Sequence, residues 1–133
     1  MSNDKPRLGY IGMGLMGAPM TSRLLDAGYQ VTIWNRSPEK MKPLLEKGAV
    51  AADGPKAVTE GSDIVMQCLT AAPAVEAVVF GEGGVVEAGA PGKVLVDFSS
   101  MRPDLTREFS GRLKDACGMG WLDSPVSGGV PGA

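Results

Sequence analysis

Short apolar runs alternate along this chain with longer stretches in which apolar positions recur every three or four residues. Leu8 to Ile11 is the first run and predicts a buried strand. From Leu15 to about Ala27 the spacing is helical, with Met16, Met20 and Leu24 four apart on one face. Pro19 falls near the start of this helix, where a missing N–H costs least, and Ala27-Gly28 is a stop signal. Gln30 to Trp34, β-branched and aromatic, predicts a second strand. Ser37-Pro38-Glu39 reads as an N-cap followed by proline at the first helical position, opening a helix to about Lys47. Ala49 to Ala51 predicts a short third strand and Pro55 to Glu60 a short helix. Asp63 to Leu69 predicts the fourth strand, and Pro73 to Phe80 a helix with Val75, Val78 and Val79 on one side. The glycine-rich stretch from Gly81 to Gly92 has room for a helical turn at Val85 to Glu87. Lys93 to Phe98 predicts the fifth strand, and Pro103 to Ala116 an amphipathic helix carrying Leu105, Phe109, Leu113 and Ala116 inward. Trp121-Leu122-Asp123 opens a sixth strand.

Strand and helix alternate without an internal repeat or a low-complexity linker. Such alternation calls for a parallel sheet with right-handed crossovers and helices on both faces. The natural strand order is 3-2-1-4-5-6, which puts a ligand crevice beyond the carboxyl ends of strands one and four. The fold class expected is therefore α/β, a doubly wound parallel sheet of the Rossmann type.

The junction of the first strand and helix carries Gly12, Gly14 and Gly17, a G-x-G-x-x-G in the strand-to-helix setting that gives it meaning. The first glycine permits a tight turn, the second lets a pyrophosphate approach the backbone, and the third lets helix and strand pack closely. The N-terminus of the helix offers N–H groups and partial positive charge to phosphates. The candidate pyrophosphate loop is Gly12, Met13, Gly14, Leu15 and Met16. A carboxylate at the end of the second strand would accept the ribose hydroxyls of NAD. This strand instead ends Trp34-Asn35-Arg36-Ser37. Asn35, Arg36 and Ser37 can donate to a 2′-phosphate, so NADP is expected over NAD. No G-K-[ST] follows the glycines, which argues against a nucleotide triphosphatase.

Three more loops converge on the same crevice if the strand order holds. They are Leu69-Thr70-Ala71-Ala72, Ser99-Ser100-Met101 and Ser124-Pro125-Val126-Ser127-Gly128-Gly129. Their hydroxyls and bare backbone N–H groups suit a ribose, a carboxamide or a substrate carboxylate. Ser127 lies outside any G-x-S-x-G elbow and the chain has no histidine, so a serine hydrolase is rejected. Asp97, at a strand end, reads as an anchor for backbone or loop and not as a base.

Bulk composition narrows the picture further. The 133 residues suffice for one domain with a real core, and 44% hydrophobic against 21% charged is ordinary globular composition. A net charge of −2 disfavours a nucleic-acid-binding surface. Cys68 and Cys117 read as free thiols of a reducing compartment. Without histidine or C-x-x-C, no metal site and no histidine base is expected. The first residues lack a signal-peptide profile and no apolar run is long enough to span a bilayer, so a cytoplasmic protein without membrane partners is expected.

Taken together, the segments G-Y-I-G-M-G-L-M-G-A-P-M at 9–20, W-N-R-S at 34–37, C-L-T at 68–70, V-D-F-S-S at 96–100 and D-S-P-V-S-G-G at 123–129 resemble the β-hydroxyacid dehydrogenase family. That family includes 3-hydroxyisobutyrate dehydrogenase, tartronate semialdehyde reductase, glyoxylate/succinic semialdehyde reductase and 6-phosphogluconate dehydrogenase. The likeness covers nearly the whole chain in order, and its last segment is the most specific. It implies that Gly12 to Met16 hold the pyrophosphate and Asn35-Arg36 the adenosine phosphate. It implies that Leu69, Thr70 and Ser100 line the nicotinamide side and that Ser127, Gly128 and Gly129 bind the carboxylate of a small substrate. Val130-Pro131-Gly132 stand where the 6-phosphogluconate type has acidic residues, which leans away from that substrate.

Members of that family are about twice as long, and their all-helical second half bears a lysine that serves as general acid/base. No lysine of this chain lies in a matching segment, so no catalytic residue is expected within it. The resemblance thus implies an N-terminal NADP-binding domain over 1–133, lacking its final strands and the helical domain. Such a piece is expected to be inactive alone and to belong to a homo-oligomer when full-length. The alternative is a non-catalytic NADP-binding or interaction module.

Overall fold

The computed structural model describes residues 5–12, 17–69, 71–99 and 101–124. Six strands, β1 (Leu8–Ile11), β2 (Val31–Trp34), β3 (Val50–Ala51), β4 (Ile64–Gln67), β5 (Val94–Asp97) and β6 (Gly120–Asp123), form one sheet in the order β3-β2-β1-β4-β5-β6. Every neighbouring pair is parallel. The expected strand order and the doubly wound class are what the structure shows. Strand order reverses at β1, and Ile11 lies opposite Trp34 on one side and Gln67 on the other. The ends of three strands therefore meet at one point, where the crevice of such a sheet must open.

Alternate positions along the strands feed two separate cores. Leu8 and Tyr10 of β1, Val31 and Ile33 of β2 and Met66 of β4 face α1 (Gly17–Asp26) and α2 (Lys42–Glu46). Ile11, Val65 and Leu95 face α3 (Pro55–Glu60), α4 (Ala72–Phe80) and α5 (Pro103–Cys117). Burial on both faces explains why the strands read as continuous apolar runs and not as alternating ones.

Three local expectations change. The single helix expected from Pro38 to Lys47 is a 3₁₀ turn (Pro38–Met41) followed by α2. Pro43 has no N–H to donate four residues back, so a regular α ladder cannot run through it. Ser37 holds the N-cap position with extended backbone, but its hydroxyl makes no cap hydrogen bond. On α5 the inward face runs through Thr106, Phe109 and Leu113, then drifts to half-buried Cys117; Ala116 is exposed. Asp63 stands just before β4, where its carboxylate accepts from the backbone N–H of Arg7 at 2.9 Å and from its guanidinium at 3.1 Å.

Candidate cofactor crevice

Gly12 ends β1 with φ of 98°, a backbone conformation that only glycine adopts without strain. Its N–H donates to the carbonyl of Trp34 at 2.9 Å, tying the turn to the end of β2. A Cβ at Gly12 would lie 2.9 Å from the carbonyl oxygen of Cys68 and 3.3 Å from the Leu69 side chain. At Gly17, the first residue of α1, a Cβ would drive into the carbonyl oxygen of Gly12. The two glycines thus bring the start of the helix directly against the end of the strand.

One wall of the crevice comes from the end of β2. Trp34, Asn35 and Arg36 line a cavity of about 430 Å³ that opens beside Gly12. Arg36 is exposed and makes no ion pair or hydrogen bond with any described residue. Arg7, Arg102 and Arg112 are ion-paired, whereas Arg23 and Arg107, like Arg36, have no ion pair with a described residue. The Asn35 amide donates to the carbonyl of Ser37 at 2.9 Å and so shapes the turn that presents Arg36. Ser37 contributes that carbonyl but does not line the cavity.

Apart from Leu69, the facing wall was not legible as a site in the sequence. It consists of Ala74, Ala77 and Val78 on α4, with Leu69, Pro55 at the start of α3 and Glu82 just past α4. Ala74, Ala77, Val78, Leu69 and Pro55 make most of this wall apolar, and Glu82 adds a carboxylate at its edge. Only the apolar stripe Val75-Val78-Val79 signalled this wall, and it reads equally as core. Val75 and Val79 are indeed fully buried, while Val78 turns to the cavity.

Behind Leu69 lies a buried polar network. Ser99 Oγ accepts from the Leu69 N–H at 2.8 Å, and Asp97 Oδ1 accepts from the Ser99 N–H at 3.1 Å. Gln67 Nε2 approaches the same Oδ1 at 3.4 Å. Asp97 is therefore the loop anchor that its strand-end position implied. Ser99, offered as a hydroxyl for a ligand, is instead buried and consumed in joining the loops after β4 and β5. Burial pushes the Asp97 carboxyl up, and the Asp123 carboxylate adds to this, against hydrogen bonds from Ser99 and Gln67. Burial raises the Cys68 thiol and the Tyr10 phenol as well, with Asp97 adding to both.

Of the expected site residues, Gly12, Asn35, Arg36 and Leu69 come together around the one cavity. Met13, Gly14, Leu15, Met16, Thr70, Ser100, Ser127, Gly128 and Gly129 lie outside the described residues. Among the described residues no cluster of Cys, Asp or Glu could hold a metal ion, and no helix is long and apolar enough to cross a membrane.

A glycine turn under a parallel-sheet switch point, opening onto a largely apolar cavity with an arginine at its rim, is the arrangement of a dinucleotide-binding domain. The chain belongs to the family described as the NAD binding domain of 6-phosphogluconate dehydrogenase, whose model matches residues 7–133. It is 42% identical over 127 residues to 2-hydroxy-3-oxopropionate reductase of Escherichia coli (strain K12), a match that covers 96% of this chain and 43% of that protein. It is 36% identical to 3-hydroxyisobutyrate dehydrogenase of Pseudomonas aeruginosa, covering 95% of this chain and 42% of that one. A solved structure described as Psf3 in complex with NADP+ and 2-OPP superposes with a TM-score of 0.88 at 31% identity, covering 95% of this chain and 44% of Psf3. The chain thus spans less than half the length of these relatives, which are reductases and dehydrogenases by name.

Proposed function

We propose that this chain is the cofactor-holding part of an NADP-dependent oxidoreductase that moves hydride between the nicotinamide and a small β-hydroxyacid or semialdehyde. The observation that carries the reading is Arg36, exposed at the cavity rim without an ion-pair partner among the described residues, where an NAD-selective domain carries an acid. In this reading the diphosphate lies over the turn from Gly12 to Met16. The adenine lies in the slot between Pro55 and the Ala74-Ala77-Val78 wall. The 2′-phosphate takes hydrogen bonds from Asn35, Arg36 and Ser37. Leu69, Thr70 and Ser100 flank the nicotinamide, which supplies or accepts the hydride. Ser127, Gly128 and Gly129 hold the substrate carboxylate.

The proton that accompanies hydride transfer needs a donor of tuned pKa. No described side chain near the cavity fits that task, and a lysine outside residues 1–133 is proposed to provide it. The isolated chain is accordingly proposed to bind NADP without turning over, within a cytoplasmic homo-oligomer when joined to that remainder.

Fluorescence titration with NADPH and NADH tests the cofactor reading. An arginine–phosphate hydrogen bond contributes about 1.5–3 kcal/mol, so NADPH is expected to bind roughly tenfold to a hundredfold tighter. Asn35→Asp with Arg36→Ala shifts the preference toward NADH; unchanged relative affinities would defeat the assignment.

A further inference from the structure

Two buried oxygens under the crevice, Oε1 of Gln67 and Oδ2 of Asp97, have no well-aligned hydrogen-bond donor among the described residues, although the Ser99 hydroxyl lies within reach of the Asp97 carboxyl. Both side chains are fully buried. A buried acceptor without a donor is costly, and native structures contain few of them. These two atoms belong to groups that already touch, since Nε2 of Gln67 approaches Oδ1 of Asp97 at 3.4 Å. A primary amide and a carboxylic acid are complementary planar groups. When the amide N–H cis to the amide oxygen meets the inner side of one carboxyl oxygen, the amide oxygen and the second carboxyl oxygen face each other. A single proton on the carboxyl then satisfies both.

We propose that Asp97 is held as the neutral acid, its Oδ2–H donating to Oε1 of Gln67, so that two hydrogen bonds close a ring between β4 and β5. The surroundings agree. The titratable groups whose charge bears on Asp97 are Asp123, paired with it on β6, and, across the sheet, Tyr10 on β1 and Cys68 just after β4. None of the three carries positive charge, and no Lys or Arg among the described residues pairs with Asp97. Charge on the buried Asp97 would stand beside the exposed Asp123 carboxylate. The pair acts by positioning: Oδ1 of Asp97 fixes the Ser99 N–H, and Ser99 Oγ fixes the N–H of cavity residue Leu69. Loss of the proton removes one bond of the ring and loosens both loops together. This consequence for binding rests on the NADP reading above; the proton itself does not.

Carbon-13 NMR of the chain, labelled at the Asp carboxyls, decides the matter. The Asp97 signal is expected to hold its protonated position well above the ordinary carboxylate value of about 3.9. Titration of Asp97 with the others would overturn the proposal. Variants supply a second readout. Asparagine has the shape of the neutral acid and can donate to Gln67 Oε1, so Asp97→Asn keeps thermal stability. A folded-state pKa above the unfolded one means that the folded chain binds more protons between the two values. Wild-type stability is then full below the ordinary carboxylate value and falls as pH rises through the folded value, whereas Asp97→Asn shows no such fall. Asp97→Ala and Gln67→Leu lose stability and bind NADPH roughly tenfold more weakly, the effect of one lost hydrogen bond. Equal damage from Asp97→Asn and Asp97→Ala overturns the pair. Failure of the wild type to bind NADPH defeats the cofactor reading alone, since the carboxyl titration judges the pair without any ligand.

Discussion

The carbonyl oxygen of Gly12 occupies the space into which a Cβ on Gly17 would project. The closeness of α1 to β1 is therefore set by the absence of one methyl group. Gly17→Ala must push the helix start off the strand end, and overpacking of this kind costs about 1–3 kcal/mol. A lower melting temperature together with weaker NADPH binding is expected. A melt that matches the wild type would show that the junction yields more easily than its geometry indicates.

The slot facing Arg36 is open because Ala74 and Ala77 are small. Ala77 lies on the exposed side of α4 and lines the cavity, so a larger side chain there fills the slot without entering the core. Ala77→Trp is expected to abolish binding of NADPH and NADH alike while leaving the melting temperature near that of the wild type. Arg36→Ala, by contrast, should weaken NADPH far more than NADH. Isothermal titration of both variants with both cofactors separates a blocked base site from a lost phosphate contact.

Arg7 and Asp63 join the start of β1 to the start of β4: the Arg7 backbone N–H and guanidinium donate to the Asp63 carboxylate, and the Asp63 N–H donates to the Arg7 carbonyl at 2.8 Å. The side-chain bond from Arg7, and then its backbone N–H, hold the Asp63 carboxyl below the usual carboxylate range. Between its folded and unfolded values the folded chain binds fewer protons, so stability falls as pH falls. The contribution is present above about pH 4 and disappears as pH drops through the lowered folded value. Melting curves of wild type and Asp63→Asn should differ at neutral pH and converge in acid. Because the pair is exposed, the difference at neutral pH should also shrink in high salt.

Leu113 is fully buried on the inner face of α5, in the same core as Phe109 and Met119. Leu113→Ala removes three carbons from a site with little room to collapse and is expected to cost about 2–5 kcal/mol. Urea unfolding should show the midpoint falling with an unchanged slope.

Pro55–Glu60 and the turn Val85–Glu87 were legible with their boundaries because proline and glycine flank both segments. The inward face of α5 was legible only to within one position, because 3.6 residues per turn leaves Ala116 and Cys117 nearly equivalent until the sheet selects one. Pro43 was readable as a helix breaker, yet the run around it is amphipathic enough to mask the interruption. Gln67 sits inside an apolar strand run and Glu82 inside a glycine-rich loop, and nothing local marks either as part of the crevice.

The chain's own order of residues determined the alternation of strand and helix, the strand order that follows from it, and the glycine turn with Asn35 and Arg36 at the end of the neighbouring strand. These are properties of neighbours along the chain, where spacing and turn chemistry act directly. Only the tertiary structure decided that Pro55, Ala77 and Glu82 face Arg36 across one cavity, and that Gln67 meets Asp97 beneath it. Those pairings arise from parallel register and helix packing over separations of about twenty residues or more, where local pattern carries no information about partners.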